Sequence, residues 1–230
     1  CSSDLVRRRV PVMAGTGSNS TDEAISLTKH AKQAGADAAL LITPYYNKPT
    51  QEGLYRHYKA IAEAVDLPLV LYNIPGRTGV NMFPATIARL AVIETIVGVK
   101  EGSGVIQQAS DIVQTCGDRL AVLAGDDAMT LPMMAVGGKG VITVTANIAP
   151  TEMANMVKAF AAGNIEEARR IHFQLSPLFA ALFYETNPIP VKEALGMMGK
   201  IDPELRLPLC SMGKENRDKL MQVMKEGRFI

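Results

Sequence analysis

Short runs of aliphatic and β-branched residues alternate along this chain with stretches in which apolar side chains recur every three to four positions. The runs fall at 9–14, 38–43, 68–72, 96–100, 120–124 and 140–145, each five or six residues long and apolar almost throughout. That composition fits strands covered on both faces. Between them the spacing predicts helices over 21–34, 51–65, 84–91, 105–116 and 129–136. Ser20 and Glu23 form a capping box at the head of the first helix, and Gly35 stops it. No hairpin signal separates neighbouring runs, so the pattern predicts right-handed βαβ units and a parallel sheet. Beyond residue 145 only helical patterns follow, over 151–162, 165–183, 189–198 and 214–225, punctuated by Gly163-Asn164 and Asn187-Pro188. The expected organisation is a partial (β/α) barrel over residues 1–148. The last barrel helix and a C-terminal helical region, 149–230, pack on it.

Six parallel strands leave an open doubly wound sheet or a (β/α)8 barrel short of some units. The strand starts lie roughly 20 to 30 residues apart, so a complete eight-fold barrel in this style needs about 50 to 60 further residues. An open sheet should carry a nucleotide fingerprint at its first βα turn. The segment Gly15-Thr16-Gly17-Ser18-Asn19-Ser20 lacks both the third glycine of a dinucleotide loop and the Gly-Lys-Ser/Thr of a P-loop, and reads as a tight turn feeding a capped helix.

Composition narrows the function classes. With 230 residues, 47% of them apolar, the chain can bury a large core. Lys and Arg total 24 against 23 Asp and Glu, for a net charge of +1 without basic or acidic blocks, which argues against nucleic acid and anionic membrane as partners. No apolar run approaches a membrane span. Cys1, Cys116 and Cys210 are odd in number and far apart, which suits a reduced, cytoplasmic protein better than a disulfide framework. His30, His57 and His172 have no metal-ligand partners at useful spacing, so no metal site is expected.

In parallel α/β folds chemistry gathers at the carboxyl ends of strands. Lys100 closes the run Ile96-Val97-Gly98-Val99, with Gly98 leaving room beside it. A lysine there can be a solvated charge. In an apolar mouth, desolvation would instead yield a neutral amine able to attack a carbonyl and form a Schiff base. Tyr72 ends another strand, and fits either a core aromatic with its hydroxyl satisfied or a phenol that relays protons. Arg77, in a Pro-Gly-Arg-Thr-Gly turn, can hold a substrate carboxylate with its planar fork. The adjacent pair Tyr45-Tyr46 suggests a wall of the site or a subunit contact.

These strand-end motifs carry a family resemblance. Pro-Tyr-Tyr-Asn-Lys-Pro (44–49), Tyr-Asn-Ile-Pro-Gly-Arg-Thr-Gly (72–79), Val-Gly-Val-Lys-Glu (97–101), Gly-Asp-Asp (125–127) and Asn-Pro-Ile-Pro-Val-Lys (187–192) occur in order. From about residue 9 to the C-terminus the chain resembles the dihydrodipicolinate synthase (4-hydroxy-tetrahydrodipicolinate synthase) family. The resemblance implies a TIM barrel with C-terminal helices, here lacking its first two βα units. It implies a Schiff-base lyase that condenses pyruvate with L-aspartate 4-semialdehyde in the diaminopimelate route to lysine, with no metal or organic cofactor. Lys100 matches the Schiff-base lysine, Tyr72 and Tyr46 the relay tyrosines, and Arg77 the arginine for the aldehyde's carboxylate. Gly125 and Ile142 match backbone positions lining the pyruvate pocket. Asn19, Glu23 and Tyr45 match a lysine feedback site, a sensitivity that varies within the family. Family members are commonly homotetramers, dimers of dimers, in which Tyr46 reaches the neighbouring subunit.

Two departures stand out. Glu101-Gly102-Ser103-Gly104-Val105 replaces the common Glu-Ala-Thr/Ser-Gly-Asp. The family's Gly-Thr-Thr-Gly-Glu segment, whose threonines complete the relay, is not in this sequence. The opening Cys1-Ser2-Ser3-Asp4-Leu5 resembles a translated adapter junction, so the chain is expected to be a gene fragment. Two readings remain beside the main one: N-acetylneuraminate lyase or a keto-deoxy sugar acid aldolase on the same fold, and an inactive truncated module.

Overall fold

The computed structural model describes residues 5–230. The reading of the opening segment rests almost wholly on residues 1–4, which lie outside the described residues. Six strands, β1 (Met13–Gly15), β2 (Ala38–Ile42), β3 (Leu69–Asn73), β4 (Ile96–Glu101), β5 (Ala121–Ala124) and β6 (Gly140–Val141), form one parallel sheet in sequential order. A sheet in chain order with every neighbour parallel is what successive right-handed βαβ units produce. The intervening helices are α1 (Thr21–Gln33), α2 (Gln51–Ala64), the short α3 (Pro75–Thr78), α4 (Pro84–Leu90), α5 (Ile106–Cys116) and α6 (Thr130–Ala135).

The local signals act largely as the sequence suggests, except that the capping box at Ser20 is only half made: the Ser20 N–H donates to the Ser18 hydroxyl at 3.1 Å, and the Glu23 carboxylate accepts from that same hydroxyl. Ser20 caps α1 by accepting from the Glu23 N–H, and Thr50 caps α2 by accepting from the Gly53 N–H. Gly35, at φ 83°, supplies the left-handed residue that follows α1. Leu41, Leu69, Leu71 and Ile96 from the strands meet Leu54, Tyr58, Ile61, Ile87 and Ile112 from the helices, all fully buried or nearly so. The Tyr58 hydroxyl donates to the Leu41 carbonyl at 3.2 Å, so this buried phenol keeps a partner.

Two strands are shorter than the apolar runs. The first starts at Met13 because the Val12 N–H goes to the Asp37 carboxylate at 2.7 Å instead of a neighbouring strand. The last ends at Val141, where the sequence predicts strand through 145. Ladder pairing stops at Ala124–Val141, and a 3-10 turn occupies Thr145–Asn147. The Thr145 N–H is taken by the Asp127 carboxylate at 2.8 Å.

The chain divides into two compact units. One runs to Gly125 and takes in Pro132–Val141, and so holds the whole sheet. The other comprises Asp126–Leu131 and Ile142–Ile230. The second is helical: α7 (Pro150–Ala161) pairs with α8 (Ile165–Ala181), and α9 (Ile189–Met197) packs with α10 (Lys214–Glu226). Its core is built from Met153, Met156, Ile171, Leu175, Leu178, Leu182, Leu220 and Met224. Met fills irregular gaps between such helices. Among the described residues no helix is long and apolar enough to cross a membrane.

His57 on α2 gives the first unit a pH-sensitive element. It is buried, its Nδ1 lies 2.9 Å from the Thr21 hydroxyl, and its Nε2 has no hydrogen-bond partner among the described residues. Desolvation lowers its pKa from 6.5 to about 4. The unfolded chain therefore binds a proton that the native state excludes, and stability is lost as pH falls from about 6.5 towards 4. By linkage this is worth about 3 kcal/mol over that window. Urea unfolding at pH 7 and at pH 4.5 should show that loss, and His57→Gln should reduce the difference between the two.

Candidate active site

The candidate site sits at the carboxyl edge of the sheet, where β3 and β4 end side by side. Register pairs Tyr72 with Lys100 and Asn73 with Glu101. Same-register neighbours on adjacent strands point to the same face, and the two side chains meet. The Lys100 Nζ lies 4.2 Å from the centroid of the Tyr72 ring. An ammonium at this distance is attracted by the ring quadrupole. Lys100 and Tyr72 are both half-buried, between the core and the open rim.

Burial pushes the Tyr72 phenol above its ordinary pKa, and the nearby Arg77 charge pulls it part of the way back. The phenol is therefore a proton carrier at neutral pH. Arg77 stands on α3, the helical turn that directly follows β3. Gly79 ends that turn at φ 74°, and a Cβ there would strike Lys48 Cε at 2.7 Å, so the 43–49 rim lies against it. The turn is also fastened from β2: Thr43, buried at that strand's end, has its hydroxyl 3.2 Å from the Thr78 hydroxyl.

Glycines shape the floor. The sheet ladder runs on past the strand ends, with the Gly102 N–H donating to the Asn73 carbonyl at 2.8 Å and the Gly125 N–H to the Glu101 carbonyl at 2.7 Å. A Cβ on Gly125 would lie 2.9 Å from Gly102 Cα and 3.0 Å from the Glu101 carbonyl oxygen. Only glycine lets these backbones approach so closely. Ile142, the first residue past β6, belongs to the second unit.

Tyr45 and Tyr46 stand on the rim after β2. Tyr46 is 90% exposed and left-handed at φ 71°, a conformation uncommon for a side chain of this size. Asn19 and Tyr45 are brought together, the Asn19 amide donating to the Tyr45 carbonyl at 3.2 Å, while Asn47 donates to the Asn19 carbonyl at 2.9 Å. Glu23, one turn into α1, accepts a very short hydrogen bond from the Ser18 hydroxyl. Among the described residues no three His, Cys, Asp or Glu side chains are grouped to hold a metal ion.

The sequence reading passed over the polar residues behind the lysine: Asn73, Asn81, Glu101 and Gln108. Alternation along β4 turns Glu101 away from the face that Lys100 occupies, but it says nothing of the other three.

Comparison with known proteins shows the family of the chain as a whole. The profile of the Dihydrodipicolinate synthetase family matches residues 1–227. The 4-hydroxy-tetrahydrodipicolinate synthase of Geobacter sp. (strain M21) is 60% identical over 227 residues, covering 99% of this chain and 78% of the relative. Among solved structures, a dihydrodipicolinate synthase from Acinetobacter baumannii complexed with pyruvate superposes at TM-score 0.97 with 49% identity, covering 99% of this chain and 78% of that one. The enzyme from Cyanidioschyzon merolae with lysine bound does so at TM-score 0.95 with 43% identity, covering 100% and 78%. With a family profile matched over nearly its whole length and relatives at 60% identity, the chain belongs to the dihydrodipicolinate synthetase family.

Proposed function

We propose that the chain acts as a 4-hydroxy-tetrahydrodipicolinate synthase, a Schiff-base lyase that condenses pyruvate with L-aspartate 4-semialdehyde. The observation that carries this reading is the Lys100 amine 4.2 Å from the Tyr72 ring, with Arg77 close enough to act on the phenol. The Lys100 amine, once it has given up its proton, attacks the ketone carbon of pyruvate, and loss of water leaves an iminium. A proton leaves the methyl carbon to give an enamine, which attacks the aldehyde of the second substrate. Tyr72 carries protons on and off the oxygens in these steps. The amino group of the joined substrate then attacks the iminium carbon, closes the ring and releases Lys100.

Arg77 holds the carboxylate of the aldehyde, and Tyr46, exposed on the rim, serves a neighbouring subunit's relay in a dimer of dimers. Gly125 offers backbone groups to pyruvate. Asn19, Glu23 and Tyr45 form a binding site for lysine as feedback inhibitor, a reading supported by the tie between Asn19 and Tyr45 and by the lysine-bound relative. The six strands are read as six of the eight of a (β/α)8 barrel, with 149–230 as its last helix and C-terminal extension. The cytoplasm is the compartment that this chemistry suits.

Acceptor choice tests the reading. Turnover with pyruvate and aspartate semialdehyde, against cleavage of N-acetylneuraminate, should favour the former, since a fixed guanidinium suits a short carboxylate better than a sugar chain. Arg77→Ala should raise the KM for aspartate semialdehyde by about 10- to 100-fold while leaving the pyruvate KM nearly unchanged, the pattern of a lost ground-state contact. Preferred cleavage of N-acetylneuraminate would replace this reading with the sugar-acid one.

A further inference from the structure

Immediately behind the candidate nucleophile lies a buried carboxylate that the chemistry above does not use. Glu101 is only 3% exposed. It accepts from the Ser103 N–H at 2.7 Å through Oε1, and from the Asn73 and Gln108 side-chain amides, both at 3.0 Å, through Oε2. All three donors are uncharged. Burying a carboxylate is expensive, and it persists only where donors replace the lost water.

The same donors reach the arginine turn. The Asn73 amide nitrogen also donates to Asn81 Oδ1 at 2.8 Å, and its oxygen accepts from the Met82 N–H at 2.9 Å. Asn81 and Gln108 exchange two further bonds, at 2.8 and 3.1 Å. Gln51 grips the next stretch, donating to the Asn81 carbonyl at 2.8 Å and accepting from the Phe83 N–H at 3.0 Å. The segment 74–81, which carries Arg77, is thus closed at its base by Asn73 and tied to β4 at the residue next to Lys100.

We propose that Glu101 is a positioning residue that fixes the Arg77 turn relative to Lys100 and so sets the geometry in which the second substrate's carboxylate is held. This inference rests on the proposed activity and assigns Glu101 no contact with substrate. The network demands an acceptor at both oxygens. In Glu101→Gln one N–H must face the Ser103 N–H or the two side-chain amides. Rotating Gln108 or Asn81 only moves the conflict, because Asn81 Oδ1 already serves both amides and Asn73 Oδ1 is held by Met82.

The test measures pyruvate trapping with borohydride and the KM for each substrate in wild type, Glu101→Gln, Arg77→Ala and the double variant. Glu101→Gln is expected to raise the KM for aspartate semialdehyde about tenfold, with pyruvate trapping and the pyruvate KM within about twofold of wild type. In the Arg77→Ala background it should add nothing further, since its effect is transmitted through that side chain. Asn81→Ala, which loosens the turn from its other end, should move the same constant in the same direction and carries the test if Glu101→Gln does not fold. An unchanged aldehyde KM in the folded variant, equal losses for both substrates, or full additivity with Arg77→Ala overturns the inference. A wild-type chain that traps no pyruvate or consumes no aldehyde overturns the proposed activity, and this inference falls with it.

Discussion

Lys100→Ala is expected to abolish the borohydride-stable pyruvate adduct and to lower turnover on the order of 10⁴-fold or more, as loss of a covalent nucleophile does. Lys100 is placed for this role by the strand that ends with it. Register sets it beside Tyr72, and the ring at 4.2 Å offers a polarisable surface against which the amine can sit while half-removed from water. Lys100→Arg is the more telling replacement. It keeps the positive charge and the contact with the ring, yet a guanidinium stays protonated and cannot attack a carbonyl. If Lys100 served only as a charge, the arginine variant would retain much of the activity. As a nucleophile, it should be as inactive as alanine and should show no mass gain on the peptide that contains residue 100. An adduct mapped to any other lysine in the wild-type chain would sink the assignment.

Much of this site was legible before any coordinates, and the reason is local. A parallel strand covered on both faces must be apolar, so Lys100 and Tyr72 stand out at the ends of such runs and their functional edge follows from strand direction. Arg77 was legible as a residue of the segment that follows a strand end, because Pro75, Gly76 and Gly79 punctuate the chain there, although such an arginine can equally be solvated. The parts that escaped depend on pairing across the sheet. The sixth run, 140–145, has the composition of a strand, but the Asp127 carboxylate takes the Thr145 N–H and the ladder stops at Val141. The polar cluster behind Lys100 was equally hidden. Asn73, Asn81, Glu101 and Gln108 are unremarkable one by one, and only strand register and the placement of α5 bring the Asn73 and Gln108 amides onto the Glu101 carboxylate, with Asn81 bridging the two. His57 is a similar case. Its spacing showed only that no metal-ligand partner stands nearby, whereas burial leaves one of its nitrogens without a hydrogen-bond partner among the described residues.

Tyr72→Phe should separate proton transfer from carbon–nitrogen bond formation. The substitution removes one hydroxyl and keeps the ring, so the contact with Lys100 and the packing of β3 persist. The folded stability should change by no more than about 1 kcal/mol, the usual net worth of a single hydrogen bond. Catalysis should fall by about 10²- to 10⁴-fold, the range that a positioned acid–base group contributes. Burial raises the phenol's pKa and Arg77 moderates that rise, so Tyr72 enters the cycle protonated at neutral pH and gives its proton first. Loss should therefore fall on kcat, through the steps that need a proton delivered to oxygen. The pyruvate adduct should still form, slowly, and remain trappable on Lys100. The same electrostatics makes a second demand: Arg77→Ala removes the charge that restrains the phenol, so the alkaline limb of the kcat profile should shift to higher pH in that variant and vanish in Tyr72→Phe. A Tyr72→Phe chain with wild-type kcat would reduce Tyr72 to an aromatic wall, and the proton would then have to come from water or from the substrate itself.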